Sequence, residues 1–265
     1  MKLGKASKNK VNPWAFGFTF GLVGLAGALW LLSPSLSAVW WGKNSDARTR
    51  ERSDFGVPVP GNFKILGIDV SRYQGEIDWA EVRKMRLGAD SLTFVFIKAT
   101  EGDSLRDRFF LYNWQMARSQ GLRRGAYHFY DPNVNSRRQA ANFIQAVALE
   151  AGDLPPVLDI ERTGKFSPAN LRLGLKRWLR EIENYYGCRA IIYSNQHFYQ
   201  KYLAGHFPGY VFWIARYGTR PPQPAASWLF WQYSDQGLVN GIAGKVDLNV
   251  FKGGKSAFEK LLSPP

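Results

Sequence analysis

Cysteine is almost missing. Cys188 stands alone, which excludes an intrachain disulfide framework and any thiolate zinc cluster while leaving the compartment open. Histidine is scarce too: His128 falls in a strand-like run, and His197 and His206 lie far along the chain, with no H-E-x-x-H or comparable spacing. No metal site and no cofactor are expected. Ser71 and Ser194 lack a G-x-S-x-G elbow and Cys188 has no motif around it, which argues against covalent serine or cysteine chemistry. Internal repeats and low-complexity tracts are absent. Acids are the minority charge, 21 Asp+Glu against 35 Lys+Arg for a net +14, so the encounter partner should be anionic: nucleic acid, anionic lipid or cell wall. The basic residues are scattered (Arg83, Lys84, Arg123, Arg124, Arg137, Arg138, Arg172, Lys176, Arg177) and form no recognition motif, so nucleic acid is not the expected partner.

What is present begins with a long uncharged run. Residues 1–13 carry Lys2, Lys5, Lys8 and Lys10 without an acid, and Trp14 to Leu32 then pass without a charge. As a helix this run is ~28 Å long, against a hydrocarbon core of ~30 Å. The lysines before it, and only Lys43 soon after it, place the N-terminus in the cytoplasm, with Trp14, Trp30, Trp40 and Trp41 as interface anchors. The expectation is a single-pass signal anchor with the remainder outside the cell. The alternative is secretion after cleavage of a signal peptide near Ser35 and Ser37. Residues 33–62, polar and charged from 42 onward and ending in Pro and Gly, read as a linker.

From residue 63 to 265 the chain, 45% hydrophobic and 15% aromatic overall, holds enough apolar mass for one core. Short β-branched or aromatic runs alternate with amphipathic stretches, the signature of parallel β/α architecture. Eight strands are expected: KILGIDV (64–70), LTFVFIKA (92–99), GAYHFY (125–130), PVLDIE (156–161), AIIYS (190–194), VFWIARY (211–217), WLFWQYS (228–234) and KVDLNVF (245–251). Helices are expected at 78–87, 105–120, 136–150, 168–186 and 196–204, the fourth with Ser167 as N-cap and Pro168 at its first position. Connections after the sixth strand are too short or too rich in proline (Pro221, Pro222, Pro224) to hold helices. The fold expected is an α/β, irregular TIM-like (β/α) barrel of eight strands and about five helices, preceded by one transmembrane helix.

Such barrels put their chemistry at strand ends. Asp69 closes the first strand, Asp159 and Glu161 close the fourth, and Asp247 lies on the eighth. Carboxylates in apolar strands are costly unless paired or used. Asp159 and Glu161, two apart, project to one side, and interacting carboxyls push their pKa values apart, so that one can donate a proton while the other stays charged. That is the division of labour of glycoside hydrolysis. The bland alternative is a loop cap plus a salt bridge to Arg162 or Lys98. Tyr73, Tyr127, Phe129, Tyr193, Trp213, Tyr217, Trp231 and Tyr233 fall at or near strand ends, where rings could stack on sugar faces, and Gln232 and Asn195 could read polar substituents. His128 is the histidine expected to line the pocket, while Phe94, Phe96 and Phe212 read as core.

In their order, GIDVSRYQGEIDW, FVFIKATEG, GAYHFY, PVLDIE, IIYS, WIARY, WQYS and VDLNVF closely resemble glycoside hydrolase family 25, the N-acetylmuramidases of bacteria and phages. The resemblance spans about residues 63–252. It implies hydrolysis of the β-1,4 bond between N-acetylmuramic acid and N-acetylglucosamine in peptidoglycan by a monomer. It also implies Glu161 as general acid, Asp159 as its partner carboxylate and Asp69 and Asp247 as the remaining acids. Tyr73, Lys98, Tyr127, His128, Tyr193, Trp213 and Gln232, from their places in the chain, are expected to bind substrate. Attack by the substrate's own acetamido oxygen is the expected route, with a carboxylate nucleophile from Asp69, Asp159 or Asp247 as the alternative, and either would retain configuration. A non-catalytic glycan-binding scaffold is the rival reading.

Overall fold

The computed structural model describes residues 55–61, 63–87 and 90–262. The expected basic tail (1–13), membrane span (14–32) and most of the linker lie outside them. Among the described residues no helix is long and apolar enough to cross a membrane.

All eight expected strands form: β1 (Ile65–Val70), β2 (Asp90–Glu101), β3 (Arg123–Phe129), β4 (Val157–Asp159), β5 (Ile191–Asn195), β6 (Val211–Ala215), β7 (Trp228–Gly237) and β8 (Val246–Phe251). β1 to β7 pair in parallel, each with the next. β8 runs antiparallel to both β7 and β1 and closes the barrel. This reversal follows from the short β7–β8 connection, which has no room for a crossover helix. It brings the start of β8 to the same rim as the ends of the other strands, so Asp247 sits opposite Asp69 in the register.

Around the barrel lie α1 (Trp79–Lys84), α2 (Phe110–Ser119), α3 (Ser136–Ala146), α4 (Pro168–Tyr186), α5 (Gln196–Phe198), which runs on as a π-helical turn Tyr199–Leu203, and α6 (Lys255–Glu259). Ser167 caps α4 by accepting from the Asn170 amide, with Pro168 following, as expected. Three helices are shorter than expected, and α1 ends at Lys84 because Arg86 and Leu87 pair with Ser91 and Asp90 as a strand. Residues 105–106 pair with the end of β2 instead of starting α2. α3 stops at Ala146 because the chain then turns to bring Glu150 and Asp153 onto the buried Arg124 guanidinium. The short α6 was not expected.

The barrel interior is aromatic. Phe94, Phe96, Phe230 and Phe251 fill it, and Phe258 of α6 packs against Phe94, Phe230 and Phe251. So bulky are these rings that facing positions must be glycine: a Cβ on Gly67 would lie 2.4 Å from the Phe94 ring, and one on Gly125 would lie 2.6 Å from Phe96. A second cluster fills the space between strands and helices. Phe55 and Val59, assigned to the linker by sequence, belong to that cluster and are buried, and the Phe55 carbonyl accepts from the Leu238 amide at 2.9 Å. The folded domain therefore reaches back at least to Phe55, since burying a Phe side chain stabilises by about 1.5–3 kcal/mol.

Candidate active site

Strand alternation delivers one set of side chains to the rim. Asp69, Lys98, Tyr127, Phe129, Asp159, Tyr193, Trp213, Gln232 and Asp247 line a cavity of about 270 Å³, joined by Glu161, two residues past the end of β4, and by Ser71, Tyr73, Gln74 and Tyr217 from loops. All four expected acids therefore meet in one place. Its floor is Trp213, stacked on Phe96 with centroids 4.4 Å apart and flanked by Tyr193 at 4.4 Å and Tyr127 at 6.4 Å. Its rim carries two accessible rings, Tyr73 (78% exposed) and Tyr217 (57%). Tyr73 rides on a 3-10 turn, Arg72–Gln74, held by a reciprocal cap in which the Ser71 amide donates to Gln74 Oε1 (2.8 Å) and the Ser71 hydroxyl accepts from the Tyr73 amide.

Asp69 is fixed by two amides on one oxygen: Gln232 Nε2 (2.8 Å) and Asn249 Nδ2 (2.7 Å) both donate to Oδ2. Each amide is oriented from behind. Trp213 Nε1, which can only donate, gives its proton to Asn249 Oδ1 (2.8 Å), and the Tyr193 hydroxyl donates to Gln232 Oε1 (3.0 Å). Burial pushes Asp69 up to about 6, with Asn249 and Gln232 pulling the other way. Burial, then the charges of Asp69 and Asp235, push Asp247 up to about 8. The Asp69–Asp247 pair thus holds one proton around neutral pH.

Asp159 is buried, and its Oδ1 finds no hydrogen-bond partner among the described residues. Burial and then the Glu161 charge hold its pKa well above the carboxylate range, opposed by Lys98. Glu161 reaches solvent at the rim, yet enclosure of its carboxyl raises its pKa as well, against the pull of Tyr193, Arg162 and Lys98. Neither acid forms a salt bridge among the described residues. Lys98 pairs instead with Glu101 (2.7 Å), and Arg162 lies over the Phe129 ring at 4.8 Å. Glu161 also borders a second hollow of about 410 Å³, lined by Asp131, Pro132, Asn133, Arg162, Phe198 and Tyr202 among others. The arrangement offers a protonatable carboxyl between two chambers, one of them enclosing three more acids over an aromatic floor.

His128 does not line the cavity. It is wholly buried on the outer face of β3, stacked on Trp178 of α4 (5.4 Å) and bonded to Thr100 and Gln139. Tyr127 and Phe129 face inward, so the residue between them must face out. Asn195 caps α5 through the Phe198 amide, and Trp231 and Tyr233 join the outer core. Asn249 was missed, although its spacing of two from Asp247 was the available signal.

Residues 68–242 match the model of the family described as Glycosyl hydrolases family 25. The uncharacterized Escherichia coli K12 protein YegX is 47% identical over 205 residues, 77% of this chain and 75% of that protein. Lysozyme M1 of Streptomyces globisporus is 32% identical over 206 residues, 71% of this chain and 68% of its own. The solved family 25 glycosyl hydrolase of Bacillus anthracis superposes with a TM-score of 0.69 at 35% identity, over 75% of this chain and 93% of that one. The bacterial lysozyme of Streptomyces coelicolor gives 0.67 at 31% identity, over 75% and 97%.

Proposed function

This chain belongs to glycosyl hydrolase family 25, and from that premise we propose how its cleft hydrolyses peptidoglycan as a muramidase, at the β-1,4 bond between N-acetylmuramic acid and N-acetylglucosamine. The observation that carries the assignment of roles is the position of Glu161, shared by the acid-lined cavity and the open hollow, with a raised pKa. A bond lying across that boundary has its leaving oxygen beside a carboxyl whose hold on its proton is strengthened by enclosure. Glu161 is the general acid.

Asp159 acts on the substrate's 2-acetamido group. Its unpartnered Oδ1 is a buried acceptor, and an arriving amide N–H would satisfy it and favour its ionised form. Held in this way, the acetamido oxygen attacks the anomeric carbon as Glu161 protonates the leaving oxygen. Water then opens the ring intermediate with Glu161 as base, retaining configuration. Ionised Asp69 supplies the negative potential that stabilises the cationic transition state, and Asp247 keeps the pair at one net charge. Tyr73, Tyr217, Tyr127, Tyr193 and Trp213 offer sugar-stacking faces, and Lys98 and Gln232 are polar contacts. The enzyme acts as a monomer, with no cofactor.

The placement we propose rests on sequence. The charge-free run 14–32, behind four lysines, anchors the barrel outside the cytoplasmic membrane, residues 33–54 span the gap, and the substrate is wall within reach. Secretion after signal cleavage is the alternative, and release of a shortened chain by alkaline washing of membranes would favour it.

Digestion of purified peptidoglycan by the protein and by Glu161→Gln, with reducing ends identified by mass spectrometry, tests the central claim. Muramic acid ends are expected from the parent, with a loss of about 10²–10⁴-fold in the variant. N-acetylglucosamine ends would refute the bond assignment.

A further inference from the structure

Beyond the hollow that borders Glu161 lies a larger one, about 520 Å³, between the segment 130–137 and the start of α4. The two share Pro132 and Asn133. The larger one has no acid in its lining but two arginines, Arg137 and Arg177. Arg137 is engaged with Glu181 at 3.2 Å, whereas Arg177 has no ion pair among the described residues. Beside it stand Asn170 and two partly exposed apolar side chains, Phe166 (42%) and Leu173 (52%). The walls are preformed. Asn133 Oδ1 accepts from the Lys165 amide (3.2 Å), tying the two loops together, and the Tyr130 hydroxyl, bonded to Ser136, comes so close to α4 that a Cβ on Gly174 would lie 2.6 Å from it. Both α3 and α4 begin here, adding positive potential.

A hollow that is cationic, amide-lined and edged with apolar side chains suits a short peptide bearing free carboxylates. Resting on the muramidase reading, we propose that it binds the peptide stem carried by the muramic acid of the substrate. Arg177 pairs with a stem carboxylate, Asn170 bonds the peptide backbone, and Phe166 and Leu173 pack on methyl groups. The stem is long enough: five extended residues reach ~17 Å, and only Pro132 and Asn133 separate this hollow from the one beside Glu161. The enzyme would then prefer strands whose peptides are intact, a specificity the barrel cavity alone does not supply.

The test compares intact peptidoglycan with the same glycan stripped of peptides by an amidase, using the full chain, Arg177→Ala and Asn170→Trp, the last filling the hollow without removing charge. Both substituted positions are exposed on the hollow's edge, so an unchanged melting temperature is expected and checks folding. The proposal expects the parent to favour intact wall. Each variant should lose about tenfold in kcat/KM on it, through KM, and cut stripped glycan at the parent's rate. Equal parent activity on both substrates, or equal losses on both in the variants, would overturn the peptide site while leaving the muramidase intact. No muramic acid ends from either substrate with the parent would sink the muramidase reading and this proposal with it.

Discussion

Asn249→Ala should move the acid limb of the pH–rate profile. The amide of Asn249 is one of two donors on Asp69 Oδ2, at 2.7 Å, and both favour the charged form against burial, leaving the group at about 6. A hydrogen bond to a charged group is worth about 1.5–3 kcal/mol, and about 1.4 kcal/mol corresponds to one pH unit. Removing one donor therefore lifts Asp69 to about 7–8. The sign is fixed, because losing a bond to the anion favours the protonated acid. Since kcat/KM reports the free enzyme, its acid limb should shift from near pH 6 to between 7 and 8, with activity at pH 6 falling about five- to fiftyfold while the alkaline plateau changes much less. Trp213 Nε1 loses its acceptor in the same variant, costing about 1–3 kcal/mol of stability, so melting is followed across the same pH range. An unmoved acid limb in a folded variant would refute the role given to ionised Asp69.

His128 is held neutral by burial, down at about 4 against 6.5 when unfolded. Between those values the unfolded chain binds the proton and the native one does not, so stability should fall by about 3 kcal/mol as pH drops from 6.5 to 4. Urea titrations of the parent and His128→Phe check this, the variant being expected to lose most of that slope. Asp153→Ala removes the buried carboxylate of the Arg124 guanidinium, which is 2% exposed, bonded to Asp153 at 2.8 Å and capped by the Trp114 ring at 4.0 Å, and leaves it the more exposed Glu150 as charged partner. Removing one partner of such a buried pair costs about 3–5 kcal/mol, and calorimetry should show it far from the active site. Gly67→Ala drives a Cβ to 2.4 Å from the Phe94 ring, and overpacking of this kind costs about 1–3 kcal/mol, read as a lower urea midpoint at unchanged slope.

The barrel was legible because its strands are short, apolar and punctuated, and each acid at the rim interrupts an otherwise apolar run. Where one residue faced, however, depended on applying alternation consistently. Tyr127 and His128 are neighbours on one strand and cannot both face the cavity. The same rule that paired Asp159 with Glu161 also put Asn249 on the side of Asp247, where it meets Asp69. The direction of β8 was not legible from its composition, yet it decides the site. Run parallel, its Asp247 would lie near the far end of the barrel, beside the apolar Ile65 and Phe258. The arginine-edged hollow lay further still from local pattern, because it exists only where the loop after β3 meets the loop before α4. Residues 32 positions apart become neighbours there through the hydrogen bond that the Lys165 amide donates to Asn133 Oδ1. Pattern reading thus finds the catalytic acids, which must break an apolar rhythm. A surface that recognises a flexible substituent breaks no rhythm and shows only when the loops are folded.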